Sequence, residues 1–225
     1  MYRAARDRSR MHMEQVISDS LELSAYLGRR FNQRKITLVG HSWGAEGERI
    51  SYDWTLAQAR AAGDLGVVRK LKEIGPPPYG GDWRRKFMTQ RRPLGRYGGE
   101  CYRSRRGAFG VVIKNRVLSP EYTLVDRINY FRGIFDSVGL LLPELLTVDL
   151  FDQVPRVDVP LWFMLGRHDY AVPSVLAHRY FDRVTAPAKT LVWFENSSHL
   201  PNTKERELFN KTLVDRLRPV ALRDS

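Results

Sequence analysis

The fold of this chain is decided by one short stretch, Lys35-Ile36-Thr37-Leu38-Val39-Gly40-His41-Ser42-Trp43-Gly44. Its first half is apolar and β-branched, which predicts a buried strand over residues 35–39. Its second half has the Gly-x-Ser-x-Gly pattern, in which a strand ends in a sharp turn that pushes the serine side chain clear of the backbone. The bare pattern also occurs by chance. The elements around it therefore decide what it means.

The flanking sequence is typical of an α/β sheet protein. Residues 11–30 have an amphipathic helical period, and two apolar runs, residues 159–166 and 189–194, predict buried strands that each end in a polar loop. A helix over 175–181 separates these strands, and another over 203–217 follows them. We therefore predict a mainly parallel sheet with flanking helices, formed by residues 1–50 and 150–225.

The middle of the chain, residues 51–149, has no strong strand pattern and is predicted to be one helical lid inserted after the Gly-x-Ser-x-Gly turn. Helices are predicted from Asp53 to Gly63, from Asp64 to Ile74 and from Ser119 to Phe135, with an extended segment at 109–117. Residues 79–108 show no clear period, and 149–154 predict one short helical turn.

Three reactive residues follow predicted strands, in the order Ser42, Asp169, His199. The carboxyl ends of parallel strands share one edge of a sheet, so these side chains are expected to meet there. Serine alone is a weak nucleophile, and a histidine held in the correct tautomer by an aspartate can take its proton. The three residues therefore predict a hydrolytic Ser-His-Asp triad.

The motifs around these residues are similar to those of the α/β-hydrolase superfamily, most closely its proline iminopeptidase-like branch. The similarity covers the Gly-x-Ser-x-Gly turn, called the nucleophile elbow, and the C-terminal third of the chain, whereas the lid matches only in being helical. The motifs that carry it are Gly40-His41-Ser42-Trp43-Gly44, Gly166-Arg167-His168-Asp169 and Phe194-Glu195-Asn196-Ser197-Ser198-His199-Leu200-Pro201.

The resemblance implies a role for each matching residue. Ser42 is implied as nucleophile, Asp169 as triad acid, His199 as base, and the backbone amide of Trp43 as one oxyanion donor. His41 and Trp43 are implied to shape the pocket, with plain packing left open for Trp43. In that branch acidic lid residues bind the substrate's free amine. Glu100 and Glu144 are the candidates for that role, and nothing in the sequence chooses between them.

The chain also departs from the family pattern. It has no His-Gly-Gly-type loop to supply the second oxyanion donor, and only one helix precedes the elbow strand. The polar residues after Gly44 predict that the usual helix behind the serine is missing. We therefore expect a truncated hydrolase, and removing one oxyanion donor typically lowers the rate by roughly a hundredfold to a thousandfold.

The formal net charge of +12 is concentrated in residues 84–106, which hold nine Arg or Lys against Glu100 alone, interleaved with aromatic residues. A solvated surface of the lid is the favoured interpretation. An anionic substrate or partner is left open, and nucleic acid is disfavoured because no nucleic-acid motif accompanies the charge.

Other features restrict the cellular setting and the chemistry. The single cysteine, Cys101, fits a reducing interior, and the basic N-terminus is not followed by an apolar stretch, so a cytoplasmic protein without a membrane span is expected. Neither a cofactor nor a metal is expected, because no metal-ligand spacing occurs and His168 and His178 fit surface or packing roles. An oligomer that covers the exposed sheet edge is left open.

Two functional hypotheses remain at this point. The first is a serine hydrolase that cleaves an ester or amide of a small molecule or short peptide, including an N-terminal, proline-type aminopeptidase. The second is a catalytically impaired, truncated homologue that acts as a binding protein or has no activity.

Overall fold

The computed structural model describes residues 11–42, 47–104 and 119–222. The chain divides into two compact units. The first comprises Met1–His41, Thr123–Thr147 and Arg206–Ser225, and the second comprises Ser42–Tyr122 and Val148–Glu205. Residues of the predicted lid occur in both units, and the treatment of 51–149 as one insertion stays a prediction.

The described elements are, in chain order, α1 (Met13–Arg30), α2 (Gly47–Ala61), α3 (Leu65–Ile74), α4 (Trp83–Arg96), α5 (Leu124–Leu145), α6 (Leu150–Gln153), β1 (Leu161–Gly166), α7 (Ser174–Arg183), β2 (Lys189–Phe194), α8 (Pro201–Lys204), α9 (Arg206–Lys211), a π-helical stretch (Thr212–Leu217) and α10 (Arg218–Leu222). The described part of the chain is thus rich in helix and contains a small parallel sheet, which is consistent with the predicted partial α/β-hydrolase fold.

The sheet of the second unit pairs β1 with β2 in parallel, in a register that places Leu161 opposite Lys189 and Gly166 opposite Phe194. Both strands lie where the apolar runs predict them. Helix α7 connects the strands and packs on β1, where the ring of Phe163 meets that of Phe181 edge to face at 5.4 Å. Because the strands are parallel, the loops that follow them leave the same edge of the sheet.

Helices α2, α3 and α4 pack against one another in the second unit. Their core contains Tyr52 of α2 with Leu71 and Ile74 of α3, all buried. The Tyr52 hydroxyl donates to the carbonyl of Leu71 at 2.8 Å, which satisfies the polar end of a buried ring. These helices form the wall behind the loops that leave the sheet.

The regular secondary structure of the first unit, in its described residues, is helical, and residues 31–41 form no helix or strand. Helix α5 begins with a capping box, in which Thr123 and Asp126 each accept from the other's backbone amide. Helix α1 contacts α5, and the amide of Met13 donates to the carboxylate of Glu144 at 2.6 Å. No residue of α1 is buried, and apolar side chains such as Leu21 are more than half exposed.

The predicted strand at residues 35–39 is wrong. These residues form no strand, and Leu38 and Val39 are exposed. A strand needs a neighbour that exchanges backbone hydrogen bonds with it, and within the described residues β1 and β2 pair only with each other. An apolar, β-branched run favours a strand but does not provide its partner.

Three predictions about helices also need correction. Helix α2 begins at Gly47 instead of Asp53, so a helix does follow the Gly-x-Ser-x-Gly turn, although the turn residues 43–46 lie outside the described part. Helix α4 occupies a region predicted to be irregular, and α5 begins at Leu124 instead of Ser119. The extended segment predicted at 109–117 lies outside the described residues.

Among residues 11–42, 47–104 and 119–222, no helix combines the length and the apolar character that crossing a membrane requires.

Candidate active site

Ser42 has a backbone conformation that L-residues rarely adopt. Its φ of 66° lies in the left-handed region, and its side chain is exposed. A non-glycine residue in this region costs free energy, and such residues concentrate at functional sites. The conformation matches the strained serine of a nucleophile elbow.

The imidazole of His199 connects the other two predicted residues. Its Nε2 lies 2.8 Å from the Oγ of Ser42, and its Nδ1 lies 2.9 Å from the Oδ2 of Asp169. A carboxylate only accepts hydrogen bonds, so Nδ1 carries the proton and the lone pair of Nε2 faces the Ser42 hydroxyl. The structure therefore brings all three residues together in the second unit.

The backbone of its own loop orients Asp169. Its Oδ1 accepts from the amides of Ala171 and Val172, each at 2.9 Å, which leaves Oδ2 for His199. Its side chain is only 11% exposed, so little water competes for these oxygens. The carboxylate is held in one orientation before any substrate binds.

The loop that carries His199 is braced by the segment after α4. The amide of His199 donates to the carbonyl of Glu100 at 3.2 Å, and the buried hydroxyl of Ser198 donates to the carbonyl of Gly98 at 2.8 Å. The amide of Tyr170 donates to the carbonyl of Gly99 at 3.0 Å. Residues 98–100 thus hold the acid loop and the histidine loop together.

Helix α2 packs directly against the acid loop. The Ser51 hydroxyl contacts the carbonyl of Tyr170 at 2.6 Å, and the Tyr170 ring stacks on Trp54 with centroids 4.3 Å apart. A Cβ at Gly47 would lie 2.4 Å from the Cδ of Pro173. Glycine at this position therefore lets the start of the helix approach the loop closely.

An ion pair close to the acid loop joins α2 to α4. Arg91 donates to Glu48 from Nη2 and to the carbonyl of Ala171 from Nη1, the latter at 2.8 Å. Both side chains are about 15% exposed, and burial raises the pKa of the Glu48 carboxyl, although the Arg91 guanidinium acts to lower it. Arg91 therefore supports Ala171, whose amide donates to Asp169.

A second ion pair connects the two loops at the surface. Arg167 donates to both carboxylate oxygens of Glu195, from Nε at 2.9 Å and from Nη2 at 2.6 Å. The Arg167 hydrogen bonds lower the pKa of the Glu195 carboxyl. Both side chains are largely exposed, so the pair contributes more to loop geometry than to stability.

The side-chain hydrogen bonds that join Ser42, His199 and Asp169 include no other predicted site residue. Trp43, the implied oxyanion donor, lies outside the described residues, and His41 is exposed and belongs to the first unit. Glu100 lies beside His199, whereas Glu144 belongs to the first unit. His168 stacks on Tyr102 at 3.7 Å, as a packing residue would.

Sequence reasoning missed the supporting residues Glu48 and Arg91. The polar stretch that contains Glu48 predicts no helix, and Arg91 is one of many cations in a segment predicted to be a solvated surface. The sequence holds one signal for Arg91, the helical spacing of α4, but the high charge of this segment hides it.

Among the described residues, no cluster of three or more His, Cys, Asp or Glu has the arrangement of a metal site.

Comparison with known proteins identifies one curated protein of similar sequence. Over 232 aligned positions the chain is 26% identical to the probable aminopeptidase YbaC of Bacillus subtilis (strain 168), covering 90% of this chain and 71% of that protein.

Two solved structures are also similar. An esterase (EaEST) from Exiguobacterium antarcticum is 26% identical, with 44% of this chain and 37% of that chain covered and a TM-score of 0.34. The crystal structure of VinJ is 21% identical, with 76% and 54% covered and a TM-score of 0.44. The chain therefore spans about a third to a half of the length of these two solved proteins.

A family model gives the broadest match, since it covers residues 5–212 of the 225 and is described as the alpha/beta hydrolase family. The match includes all three residues of the candidate site and both strands of the sheet. The chain belongs to the alpha/beta hydrolase family.

Proposed function

We propose that this protein is a serine hydrolase that cleaves an ester or amide bond with Ser42, His199 and Asp169 as its triad. The observation that carries the proposal is the position of His199, whose two ring nitrogens lie 2.8 Å from the Ser42 hydroxyl and 2.9 Å from the Asp169 carboxylate. Membership of the alpha/beta hydrolase family supports the same chemistry.

The proposed reaction proceeds in two balanced halves. The Oγ of Ser42 attacks the substrate carbonyl while Nε2 of His199 takes its proton, and Asp169 stabilises the imidazolium. The imidazolium then protonates the leaving alcohol or amine as its bond to the acyl carbon breaks. Water, deprotonated by His199, next attacks the acyl carbon, the bond between that carbon and the Oγ of Ser42 breaks, and His199 returns the proton to Oγ as the acid leaves. The amide of Trp43 is proposed as one donor to the oxyanion.

We further propose that the substrate carries a free amine next to the scissile bond. One relative is named a probable aminopeptidase, and the family resemblance implies an acidic residue that binds the amine. Glu100 is preferred over Glu144, because the Glu100 carbonyl accepts from the amide of His199. A carboxylate near the triad base would stabilise a cationic amine.

A fluorophosphonate probe tests the triad. Wild-type protein is expected to be labelled at Ser42 within minutes, and Ser42→Ala should abolish labelling. Ser20→Ala, which changes an exposed serine of α1, is the matched control and should label like wild type. A folded wild-type protein that is not labelled would contradict the proposal and favour the catalytically impaired alternative.

The amine preference needs a separate measurement. The kcat/KM for an aminoacyl p-nitroanilide is compared with that for its N-acetylated form. We expect Glu100→Gln to lower kcat/KM for the free-amine substrate about tenfold, mostly through KM, and to leave the acetylated substrate unchanged. Glu144→Gln is the control. Equal effects of the two variants would contradict the role of Glu100.

A further inference from the structure

A second feature of the second unit lies in a cavity between α3 and α4. The cavity has a volume of about 270 Å³ and is lined by Val67, Lys70, Thr89, Arg92, Pro93 and Arg96. None of these residues belongs to the candidate triad or to the loops that carry it. The cavity is therefore separate from the candidate triad.

The lining residues come from one face of each helix. On α4 the positions 89, 92, 93 and 96 follow the spacing i, i+3, i+4 and i+7, and on α3 the positions 67 and 70 are three apart. The half-buried Val67 and the buried Pro93 form an apolar floor. The exposed cations Lys70, Arg92 and Arg96 form the rim, together with the Thr89 hydroxyl.

The rim has an excess of positive charge. Arg96 donates to Asp64, which also caps α3 by accepting from the amide of Val67 at 3.0 Å. Within the described part of the chain, by contrast, Lys70 and Arg92 form no ion pair, whereas the α4 residues Arg85 and Arg91 each have a carboxylate partner. No carboxylate lines the cavity itself.

We propose that this cavity binds a small organic dianion, either a phosphate monoester or a dicarboxylate, that has an apolar group. Like charges around one cavity repel each other, and an anion placed among them relieves that repulsion. Guanidinium groups match carboxylate and phosphate oxygens in a planar fork, and an ammonium adds a point charge. The apolar floor suits a ring or short hydrocarbon attached to the anionic group.

The size of the cavity limits the ligand. Sites for drug-sized molecules have volumes of about 300–1,000 Å³, and this cavity lies just below that range, so it suits a smaller molecule. The three cations are exposed and screened by salt, so affinity is expected to be modest and to fall as ionic strength rises. The proposal does not depend on the proposed hydrolase activity.

Isothermal titration calorimetry at low ionic strength tests the proposal with phenyl phosphate, inorganic phosphate, succinate and phenol. Phenyl phosphate or succinate should bind saturably, inorganic phosphate more weakly than phenyl phosphate, and phenol not at all. The two organic anions distinguish a phosphate site from a dicarboxylate site. Absence of saturable binding by either at millimolar concentration would overturn the proposal.

Matched double variants locate the binding. Lys70→Gln with Arg92→Gln should weaken binding at least about tenfold. Arg69→Gln with Lys72→Gln removes the same charge from exposed positions of α3 outside the cavity and should change affinity less than about twofold. Equal losses in both double variants would show diffuse attraction and overturn the site.

Two further measurements exclude other locations and ligands. Ser42→Ala should bind phenyl phosphate like wild type, and loss of binding in that variant would place the anion at the triad instead. A single-stranded oligonucleotide should compete weakly. An oligonucleotide that binds far more tightly than phenyl phosphate, and equally well to both double variants, would assign the charge to a polyanion surface and overturn the proposal.

Discussion

The carbonyl oxygen of Ser198 lies so close to Gly166 that a Cβ on Gly166 would be 1.9 Å away from it. Gly166 ends β1, three residues before Asp169, and Ser198 directly precedes His199. The two loops that carry the acid and the base therefore meet backbone to backbone. This contact depends on the absence of a side chain at Gly166.

Gly166→Ala is expected to damage stability and the candidate site together. The neighbouring atoms are backbone, so the clash cannot be relieved by a rotamer change, and overpacking of this kind costs about 1–3 kcal/mol. The shift displaces His199 from Asp169, so fluorophosphonate labelling should slow at least about tenfold. Denaturant unfolding and labelling rates measure the two effects.

Gly133→Ala is the control for this change. A Cβ at Gly133 would meet nothing within 4 Å, and the residue lies in the interior of α5. Replacing a helical glycine by alanine typically stabilises by about 0.5–1 kcal/mol. If Gly166→Ala behaves as mildly as Gly133→Ala, the proposed dependence on close backbone approach is wrong.

Asp169→Asn is expected to leave the protein folded but nearly inactive. The asparagine oxygen can still accept from the amides of Ala171 and Val172, whereas its NH2 group, placed toward His199, favours the wrong imidazole tautomer. In a working triad that change lowers kcat by a thousandfold or more, on the order of 10⁴. Ester hydrolysis and the circular dichroism spectrum give the two readouts.

The exposed Asp158 offers a matched control on the same unit. Its side chain is 80% exposed and pairs with Arg156 at the surface, so Asp158→Asn should keep wild-type kcat. An Asp169→Asn protein that retains more than about a tenth of wild-type kcat would argue against a triad.

Thr123→Ala is expected to lower the free energy of unfolding by about 1 kcal/mol. The Thr123 hydroxyl accepts from the amide of Asp126 at 3.2 Å, and Asp126 accepts from the amide of Thr123 at 3.0 Å. Alanine leaves the first of these donors without its partner, whereas Thr123→Ser keeps both bonds and should stay within about 0.3 kcal/mol of wild type. Urea unfolding distinguishes them, and equal losses would mean that the hydroxyl is unimportant.

The sequence predicts β1, β2 and the meeting of Asp169 with His199 in the loops that follow them, whereas Ser42 reaches His199 without the strand that was expected to precede it. Each strand is a compact apolar run whose pairing partner lies within the chain, and parallel strands bring their following loops to one edge. The strand predicted at 35–39 does not form, because no strand among the described residues pairs with it. Local preference can favour an extended chain, but the neighbour that completes the ladder is a property of the whole fold.

The helices of the second unit show a different limit. Gly47 lies in a stretch predicted to lack a helix, yet its missing Cβ allows α2 to approach Pro173. Pro93 and the cations of α4 obscured a helical period that packing stabilises. The pairing of Glu48 with Arg91 depends on how α2 and α4 pack, which no local pattern in either helix specifies.

This largely buried pair leads to a prediction about stability. Arg91→Met removes the cation but leaves Glu48 largely buried, and breaking a buried pair from one side typically costs about 3–5 kcal/mol. Glu48→Gln combined with Arg91→Met should restore part of that loss, because no buried charge remains. A double variant no more stable than Arg91→Met would show that an uncompensated Glu48 charge is not the cause.

The deficit of Arg91→Met should also depend on pH. Burial raises the pKa of Glu48 above its ordinary value of 4.5, and removing Arg91 takes away the opposing influence. The folded state then binds more protons than the unfolded state above pH 4.5, so stability falls as pH rises through that region. Urea unfolding of Arg91→Met and of the double variant should therefore give free energies that converge near pH 4 and diverge toward pH 7. Parallel curves would mean that the pKa of Glu48 is the same in the folded and unfolded states of Arg91→Met, and would contradict the prediction.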